Sequence, residues 1–336
     1  MESKFVELTD IGKSWINKEE IDVENLDDDE AIIKADYSMI SAGTELSRAF
    51  ALKKGFRYPV RPGYCMTGTI LKRGRNIRAE EGDKVFVNAP HASLVRWKSS
   101  DKAQGPLIMK LPEGIDLKQA TAINLLLVAI QGVNLTDVKL GDTVAVFGLG
   151  NIGIMTALMY KKLGCKVIGS DPVAYRCELA KKMGLEYAVC SDRLSEEIDE
   201  LTSGQGLDIA VDATGMAPVI ISCIDKVKAY GQALLLGSPR VSYECDIMPI
   251  FSKIHMKNLR VLGAFNKTAP VYAVDGSNNS LERNFATVCE MIINRDIDIS
   301  ALISEVIDPE ECERAYYDLM YNKDKTNCIV FDWQNY

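Results

Sequence analysis

The sequence is poor in histidine and has no closely spaced cysteines. Its 336 residues include two histidines and nine cysteines, and no two cysteines lie closer than Cys165 and Cys177. Without a CxxC pair, neither a disulfide framework nor a cysteine-rich zinc lobe is indicated. This cysteine usage is typical of a reducing compartment, and we expect the protein in the cytoplasm.

Excess positive charge and long apolar runs are also absent. The formal net charge is −8, which argues against nucleic acid as the main partner. No run reaches the roughly 18 uncharged apolar residues of a membrane helix. The opening stretch "MESKFVELTD" has neither the basic start nor the apolar core of a secretory signal. We therefore expect a small-molecule substrate as partner, and neither a membrane nor a nucleic acid.

The N-terminal third of the chain has the pattern of short β-strands divided by turns. Runs rich in β-branched and apolar residues are separated by Asp, Gly, Asn and Pro; they are "KFVELTD", "EAIIKADYSMIS", "MTGTILKRG" and "DKVFVNAP". This pattern predicts a compact, barrel-like β domain.

From Leu117 onward, helices alternate with buried strands. "DLKQATAINLLLVAIQGV" has helical spacing, and strands follow at "TVAVFG", "KVIGSD", "LDIAVDATG" and "GQALLLGS". Such alternation predicts right-handed βαβ units and a parallel sheet.

The end of the chain has a third pattern. "LERNFATVCEMIIN" and "DPEECERAYYDLM" are amphipathic helices, and "NCIVFDW" is a last strand. In the second helix we predict Asp308 as the N-cap, with Glu311 completing a capping box. These elements predict a return to the first domain.

The stretch "VFGLGNIG" carries the strongest functional signal. Gly148, Gly150 and Gly153 form G-x-G-x-x-G between a strand and a helix that begins near Asn151 and Ile152. The glycines permit a tight turn, the approach of a pyrophosphate and close helix–sheet packing, while the helix N-terminus attracts phosphates. The motif in this context predicts a dinucleotide site.

An acidic residue ends the next strand. Asp171 follows the glycines by about 20 residues, a position from which a carboxylate binds the ribose hydroxyls and repels a 2′-phosphate. We therefore predict NAD(H) rather than NADP(H) as the cofactor. Arg176, one helical turn further on, is expected to cover the adenine side or to offset the carboxylate charge.

Two later strand ends complete the predicted cofactor site. Thr214 with Gly215 follows one parallel strand, and Gly237 with Ser238 follows another. Ligands of open α/β sheets bind outside the carboxyl ends of the strands, so we predict that these residues contact the nicotinamide side. The alternative, that the glycines only form turns, stays open.

Several segments together resemble the medium-chain dehydrogenase/reductase superfamily, the relatives of zinc alcohol dehydrogenases. They are "SAGTELS", "RPGYCMTG", "GDKVFV", the glycine motif and "DPVAYRCELAKKMG". The resemblance covers essentially the whole chain and implies an α/β fold. A GroES-like β-barrel catalytic domain would comprise residues 1–118 and 268–336, and an inserted Rossmann domain with a doubly wound parallel sheet residues 119–267. It further implies an active site in the cleft between the domains and a homodimer or homotetramer.

The resemblance fails at the zinc ligands. Zinc members have a cysteine before their Gly-Thr-Asp element, a His-Glu pair after Pro-Gly, and a Cys, Asp or Glu on the cleft helix. This sequence has Ala42, Tyr64 with Cys65, and Asn124 at those places. Alanine cannot bind a metal, and a neutral phenol or amide is a poor zinc ligand. We therefore expect no metal and a zinc-less "GTE" and "PGY" branch, similar to sugar or polyol and bacteriochlorophyllide hydroxyethyl dehydrogenases.

Without zinc, a side chain has to handle the proton while hydride moves. By family position, Tyr64 replaces a ligand that points into the cleft, and His91 borders the substrate pocket. Thr44 matches a Ser/Thr that passes a proton to the cofactor ribose. We predict these three as catalytic residues. Tyr64 could instead only fill vacated space, and His91 could instead be a satisfied structural histidine.

The remaining polar candidates are weaker. Glu45 is expected to support its loop through hydrogen bonds, and Cys65 to be an inert buried thiol. His255 is expected at the surface, and the resemblance places Gly263–Phe265 beside the nicotinamide and at the dimer edge.

The combined interpretation is a zinc-independent, NAD(H)-dependent oxidoreductase that interconverts a secondary alcohol and its ketone. The resemblance and the polar candidate set favour a sugar, polyol or glycoside-like substrate. Two alternatives stay open: a quinone or enone reductase of the zinc-free branch, and a non-catalytic protein that binds NADH. Asp171 argues against the reductase, which would usually prefer NADPH.

Overall fold

The structure, a computed structural model, describes residues 1–52, 55–99, 107–239, 241–265, 268–274 and 279–336. The chain forms two compact units. The first contains Met1–Asn124, Pro270–Val274 and Ser280–Tyr336, and the second is built on Leu125–Ala269. The predicted domain bounds lie at 118/119 and 267/268; residue 267 is outside the described residues, and these bounds stay a prediction.

The strands of the first unit form two sheets, and all pair antiparallel except the last two along the chain, which pair with each other in parallel. The strands are β1 (Glu2–Asp10), β2 (Lys13–Glu20), β3 (Glu30–Met39), β4 (Met66–Arg73), β5 (Lys84–Val87), β6 (Leu94–Lys98), β7 (Ile108–Lys110), β14 (Ile303–Ile307) and β15 (Cys328–Asp332). Strands β1 and β2 form an antiparallel hairpin, and a second sheet has the order β14-β15-β3-β4-β5-β7 with β6 paired to β3.

Helices pack onto this sheet system through apolar faces. They are α1 (Ala42–Ala49), α2 (Leu117–Ala120), α9 (Leu281–Ile293) and α10 (Cys312–Tyr321), and α3 (Ile123–Leu135) begins at the edge of the unit. In α10, Cys312, Ala315, Tyr316 and Leu319 are buried, which is the i, i+3, i+4, i+7 spacing of one helix face. These side chains join a core that includes fully buried Trp333.

The second unit contains a six-stranded parallel sheet. Its strands are β8 (Thr143–Phe147), β9 (Lys166–Asp171), β10 (Tyr187–Cys190), β11 (Leu207–Asp212), β12 (Val227–Leu235) and β13 (Arg260–Gly263). The intervening helices are α4 (Asn151–Lys162), α5 (Ala174–Lys182), α6 (Leu194–Thr202), α7 (Ala217–Lys226) and α8 (Met248–Lys257). The strand order is β10-β9-β8-β11-β12-β13 with parallel pairing throughout.

This strand order reverses direction between β8 and β11. The chain leaves β8 toward β9 and β10 on one side, and β11 to β13 continue on the other side. Asp212 pairs with Phe147, so the carboxyl ends of β8 and β11 are neighbours. A reversal of this kind opens a crevice outside the strand ends, where ligands of such sheets bind.

Two helix predictions need correction. The helix predicted across "DLKQATAINLLLVAIQGV" is two helices, α2 and α3, because the Thr121 hydroxyl donates to the Lys118 carbonyl and the chain turns there. The predicted capping box at Asp308 is wrong, because the Asp308 carboxylate accepts from the Glu310 N–H and starts a 3₁₀ turn, Pro309–Glu311. The α-helix begins only at Cys312.

Candidate functional site

The turn between β8 and α4 is built by its glycines. Gly148 has a φ of +97°, and a Cβ on Gly153 would lie 1.8 Å from the Gly148 carbonyl oxygen. A Cβ on Gly150, by contrast, would meet no atom within 4 Å. The turn therefore requires glycine at 148 and 153 for its own packing, whereas Gly150 leaves open space at the start of a helix.

Gly150 is the N-cap of α4, and it offers no side chain to the first turn of the helix. Within the helix, the Ile154 N–H donates back to the Gly150 carbonyl. The preceding residues Asn151, Ile152 and Gly153 form the first turn, where backbone N–H groups and the helix dipole favour an anion. This is the geometry that a pyrophosphate requires.

Asp171 lies at the carboxyl end of β9, as predicted, but its carboxylate already has several partners. Its Oδ2 accepts from the Leu149 N–H at 2.9 Å and its Oδ1 accepts from the Val173 N–H at 2.9 Å. Arg176 Nη1 is 3.3 Å from Oδ2. These contacts fix the carboxylate beside the glycine turn and leave Oδ1 with capacity for a further donor.

Arg176 offsets the charge of Asp171, one of the two roles predicted for it. Its Nε is buried and has no hydrogen-bond partner among the described residues. A buried N–H without a partner is unfavourable, and a ligand oxygen would satisfy it.

A second turn follows β11 and is organised by Asp212, which the sequence reasoning did not single out. The buried carboxylate of Asp212 accepts from the Thr214 hydroxyl at 2.6 Å and from the Gly215 N–H at 3.0 Å. Thr214 also contacts the first turn, because a Cβ on Gly148 would lie 2.6 Å from its Cγ2. A carboxylate at a strand end followed by small residues is the signal that could have identified this Asx turn.

The turn after β12 approaches the same place. A Cβ on Gly237 would lie 2.2 Å from the Gly215 N, and a Cβ on Gly215 would lie 1.9 Å from the Ser238 carbonyl oxygen. The structure thus brings Gly148, Thr214 and Gly237 together at adjoining strand ends. Their contact with a cofactor stays a prediction.

In the first unit, two predicted catalytic residues share a cluster of hydroxyl groups. The Tyr64 hydroxyl donates to Thr44 Oγ1 at 3.2 Å and makes a very short hydrogen bond with Ser41 Oγ. Thr44 is exposed and Tyr64 is half-buried, so the hydroxyl cluster of Ser41, Thr44 and Tyr64 lies at a surface. Ser41 was not predicted; the signal was its place immediately before "AGTE", because serine favours the position before a helix.

Burial and, next, the neighbouring Cys65 raise the pKa of Tyr64, although the hydrogen bonds from Ser41 and Thr44 oppose the shift. Tyr64 is therefore a neutral phenol across the physiological range. A neutral phenol is a hydrogen-bond and proton donor rather than a base.

The positions at which the resemblance implies zinc ligands include Tyr64 and its neighbours. Ala42 opens α1 between Ser41 and Thr44. Asn88 Nδ2 donates to the Tyr64 carbonyl at 3.1 Å and to Asn124 Oδ1 at 3.4 Å. These positions therefore supply the methyl group of Ala42, the phenol of Tyr64 with the adjoining thiol of Cys65, and the amide of Asn124.

Cys65 is fully buried, and burial raises its thiol pKa well above the usual value. Within the described ranges, no group of three or more His, Cys, Asp or Glu side chains could hold a metal ion. Hydroxyl and amide oxygens are poor zinc donors compared with thiolate, imidazole and carboxylate, so this donor set does not fit zinc.

His91 does not lie where a substrate could reach it. Its ring is fully buried, Nε2 is 2.9 Å from Glu45 Oε2 and Nδ1 is 2.7 Å from Ser38 Oγ. The Tyr316 hydroxyl also donates to Glu45 Oε2, at 2.7 Å. With both ring nitrogens engaged, the geometry argues against the predicted substrate contact and favours the structural alternative.

The remaining candidates lie in the second unit. His255 is on α8 and exposed, as expected. Gly263 ends β13, and the side chain of Phe265 is 53% exposed. Their predicted contact with nicotinamide is untested.

Comparison with known proteins shows which dehydrogenases this chain is similar to. A family model described as zinc-binding dehydrogenase matches residues 151–283. D-guloside 3-dehydrogenase of Shigella flexneri is 28% identical over 255 residues, which are 73% of this chain and 69% of that protein. A 2-dehydro-3-deoxy-L-galactonate 5-dehydrogenase of Pseudoalteromonas atlantica is 26% identical over 235 residues, 70% of this chain and 64% of that protein.

Solved structures agree with this grouping at the level of the fold. Galactitol-1-phosphate dehydrogenase of Escherichia coli has a TM-score of 0.82 at 18% identity, covering 98% of this chain and 99% of that one. A dehydrogenase of Sinorhizobium meliloti bound to NADP has a TM-score of 0.77 at 18% identity, covering 99% of both chains. An alcohol dehydrogenase of Escherichia coli in complex with NADH has a TM-score of 0.81 at 17% identity, covering 98% of this chain and 99% of that one.

The predicted resemblance to the medium-chain dehydrogenase/reductase superfamily is confirmed by these comparisons. The predicted fold class, a GroES-like sheet domain with a Rossmann-type parallel sheet, is thereby confirmed. Within the described ranges, no helix is both long and apolar enough to cross a membrane.

Proposed function

We propose that this protein is a zinc-independent, NAD(H)-dependent oxidoreductase that interconverts a secondary alcohol and its ketone. The observation that carries the proposal is the hydroxyl cluster of Ser41, Thr44 and Tyr64. One member, Tyr64, stands at a position where the family resemblance implies a zinc ligand, and its hydroxyl supplies a proton donor there in place of a Lewis acid.

The glycine turn supports a dinucleotide cofactor. Gly150 leaves open space at the start of α4, and the Asp171 carboxylate is fixed beside that turn. When bound, the nicotinamide would supply or take up the hydride. Asp171 favours NAD(H) because a carboxylate binds ribose hydroxyls, although its charge is shared with Arg176.

Tyr64 is the residue that donates the proton to the ketone oxygen. Because its pKa is raised, its hydroxyl keeps the proton at pH values where an ordinary tyrosine, at 10, begins to lose it. Tyr64 can therefore donate to a ketone oxygen, while Ser41 and Thr44 orient the phenol and replace its proton. Zinc is not needed for this step.

A hydroxylated substrate suits this site. Relatives act, by their names, on a guloside and on a deoxygalactonate derivative. Exposed Thr44 and half-buried Tyr64 present hydroxyls that can bind sugar hydroxyl groups, and we propose a sugar, polyol or glycoside as substrate.

Replacing Tyr64 by Phe tests the assignment. We expect kcat for a sugar-like alcohol or ketone to fall by about a hundredfold, the usual size of a general-acid contribution. The NADH dissociation constant should stay unchanged, because Tyr64 lies outside the glycine turn. Both can be measured by absorbance and fluorescence of NADH.

The matched control is Tyr160→Phe. This buried tyrosine also has a hydroxyl partner, Thr136 at 3.1 Å, but it lies in α4 outside the hydroxyl cluster. Equal turnover by wild type and Tyr64→Phe, or activity that disappears after dialysis against a zinc chelator and returns with zinc, would contradict the proposal.

A further inference from the structure

Two cysteines lie on neighbouring elements beside Asp171, the predicted ribose-binding residue. Cys177 is on α5, is 3% exposed, and its Sγ lies 3.3 Å from the Val189 carbonyl. Cys190, partly exposed, ends β10 at the next position in the chain. Cys177 Sγ therefore lies against the carbonyls of Val189, which precedes Cys190 along the strand, and of Asp171, which pairs with Cys190 across the sheet.

Both thiols are attached to the segment that positions Asp171. Cys190 is the register partner of Asp171 in the parallel sheet. Cys177 Sγ lies 3.5 Å from the Asp171 carbonyl oxygen. The same α5 carries Arg176, and the Val173 N–H that precedes the helix holds the Asp171 carboxylate.

We propose that Cys177 and Cys190 form a dithiol site that reacts with small disulfides, and that the resulting disulfide weakens dinucleotide binding at Asp171. The effect on dinucleotide binding rests on the proposed function, whereas the reaction of the thiols does not.

The reaction balances with the external disulfide as oxidant. The Cys190 thiolate, the more accessible of the two, attacks one sulfur of the small disulfide and releases one thiol. Cys177 then loses its proton and attacks the Cys190 sulfur of the mixed disulfide, releasing the second thiol. The protein loses two hydrogen atoms, and the small disulfide becomes two thiols. Burial raises the pKa of the Cys177 thiol, so the second step should become faster as the pH rises.

Oxidation removes hydrogen bonds from the cofactor segment. The Cys177 thiol has the Asp171 and Val189 carbonyls as acceptors, and a disulfide sulfur has no hydrogen to donate. Pulling α5 toward β10 would also shift Arg176 and Val173, which hold the carboxylate of Asp171. The dinucleotide should therefore lose a well-oriented acceptor.

The experiment uses the full-length protein with Cys245→Ser, which removes the exposed cysteine outside the pair. The protein is incubated with oxidised glutathione, mapped by peptide mass spectrometry, and titrated with NADH by fluorescence. We expect a Cys177–Cys190 disulfide and an NADH dissociation constant raised about tenfold, the loss expected for about one hydrogen bond to a charged group. A thiol reductant should reverse both changes.

Cys190→Ser and Cys177→Ser serve as matched variants. In Cys177→Ser a hydroxyl can still donate to the Asp171 carbonyl, so the fold is retained while the disulfide is excluded. NADH binding by either variant should be insensitive to oxidised glutathione.

Each outcome has one interpretation. If the protein binds NADH but no Cys177–Cys190 peptide forms, the dithiol site is refuted and the proposed function stands. If the disulfide forms and NADH affinity is unchanged, the coupling to Asp171 is refuted. If the disulfide forms but NADH binds to neither state, the proposed function fails and the dithiol site stands.

Discussion

At the residue scale, the carboxylate of Asp171 shares its charge with a guanidinium. Arg176 Nη1 lies 3.3 Å from Asp171 Oδ2, and Arg176 Nε has no partner among the described residues. A carboxylate that is offset in this way repels a 2′-phosphate less than a bare one, since the net charge of the pair is near zero. Cofactor choice at this site therefore depends on both side chains.

Replacing Arg176 by Ala should sharpen the preference for NAD(H). Without the guanidinium, the Asp171 charge is uncompensated, so we expect the ratio of kcat/KM for NAD(H) over NADP(H) to rise about tenfold, about 1.4 kcal/mol. Arg193→Ala is the control, because Arg193 forms an exposed ion pair with Glu197. An unchanged or reduced ratio would show that Arg176 has no part in cofactor choice.

At the scale of elements, the turn into α4 separates two kinds of glycine. A Cβ at Gly153 would collide with the Gly148 carbonyl oxygen, whereas a Cβ at Gly150 would point into open space. Gly153 is therefore required by the fold, whereas Gly150 is required only if a ligand approaches the backbone.

The substitutions Gly150→Ala and Gly153→Ala should therefore have different effects. We expect Gly150→Ala to keep its melting temperature within a few degrees and to lose NADH binding. Gly153→Ala should be destabilised by about 2–3 kcal/mol, the range of overpacking in a filled core. Calorimetry measures the change in stability, and NADH fluorescence measures the change in binding. If Gly150→Ala binds NADH normally, the open space beside Gly150 is not the dinucleotide site.

Helix α1 is held to the rest of its unit through Glu45. Burial alone would raise the pKa of Glu45, but the charge and hydrogen bond of His91, followed by the Tyr316 hydroxyl and the Ser41 N–H, lower it overall. A carboxyl group with a lowered folded pKa stabilises the protein above its unfolded pKa, and this contribution is lost as pH falls through the folded value.

Glu45→Gln should remove that pH dependence. At neutral pH we expect the variant to be less stable by about 3–5 kcal/mol, as for a buried pair that loses one partner. On acidification below the ordinary glutamate value of 4.5, wild type should lose stability faster than the variant. Urea unfolding at several pH values measures both. Parallel curves would mean that Glu45 is not ionised in the native protein.

The turns and strands of the second unit could be predicted because their signals are local. Gly148, Gly150 and Asp171 fall within one βαβ unit, where spacing and strand ends are visible in the sequence. The contacts of Glu45 could not be predicted from the sequence, because its partner Tyr316 is 271 residues away and no local pattern links the two residues. His91 was interpreted from its rarity, and only the packed structure shows that both its ring nitrogens are satisfied.

At the scale of the whole molecule, one stretch of the second unit exposes many apolar side chains. They are Val241, Tyr243, Ile247, Met248, Phe251, Met256, Val261 and Phe265, all at least 38% exposed. Among the described strands, β13 pairs only with β12 and so ends the parallel sheet. An open apolar edge favours pairing with a second chain, and the expected homodimer or homotetramer stays a prediction.

Val261→Lys should weaken that association. A lysine on an edge strand opposes pairing with another edge, so we expect a monomer in sedimentation at concentrations where wild type is a dimer. Tyr187→Lys is the control, because Tyr187 is 46% exposed on β10, the opposite edge of the same sheet. A monomeric wild type, or dissociation by the control alone, would rule out an interface at β13.

Ser41 has two roles, one for its backbone and one for its side chain. Its carbonyl accepts from the Thr44 and Glu45 N–H groups at the start of α1, its own N–H donates to the Glu45 carboxylate, and its hydroxyl meets Tyr64. The helix begins through the backbone of Ser41 alone, because its side chain makes no cap hydrogen bond. Removing the hydroxyl therefore leaves the start of α1 intact, and the side chain at position 41 is left to serve Tyr64.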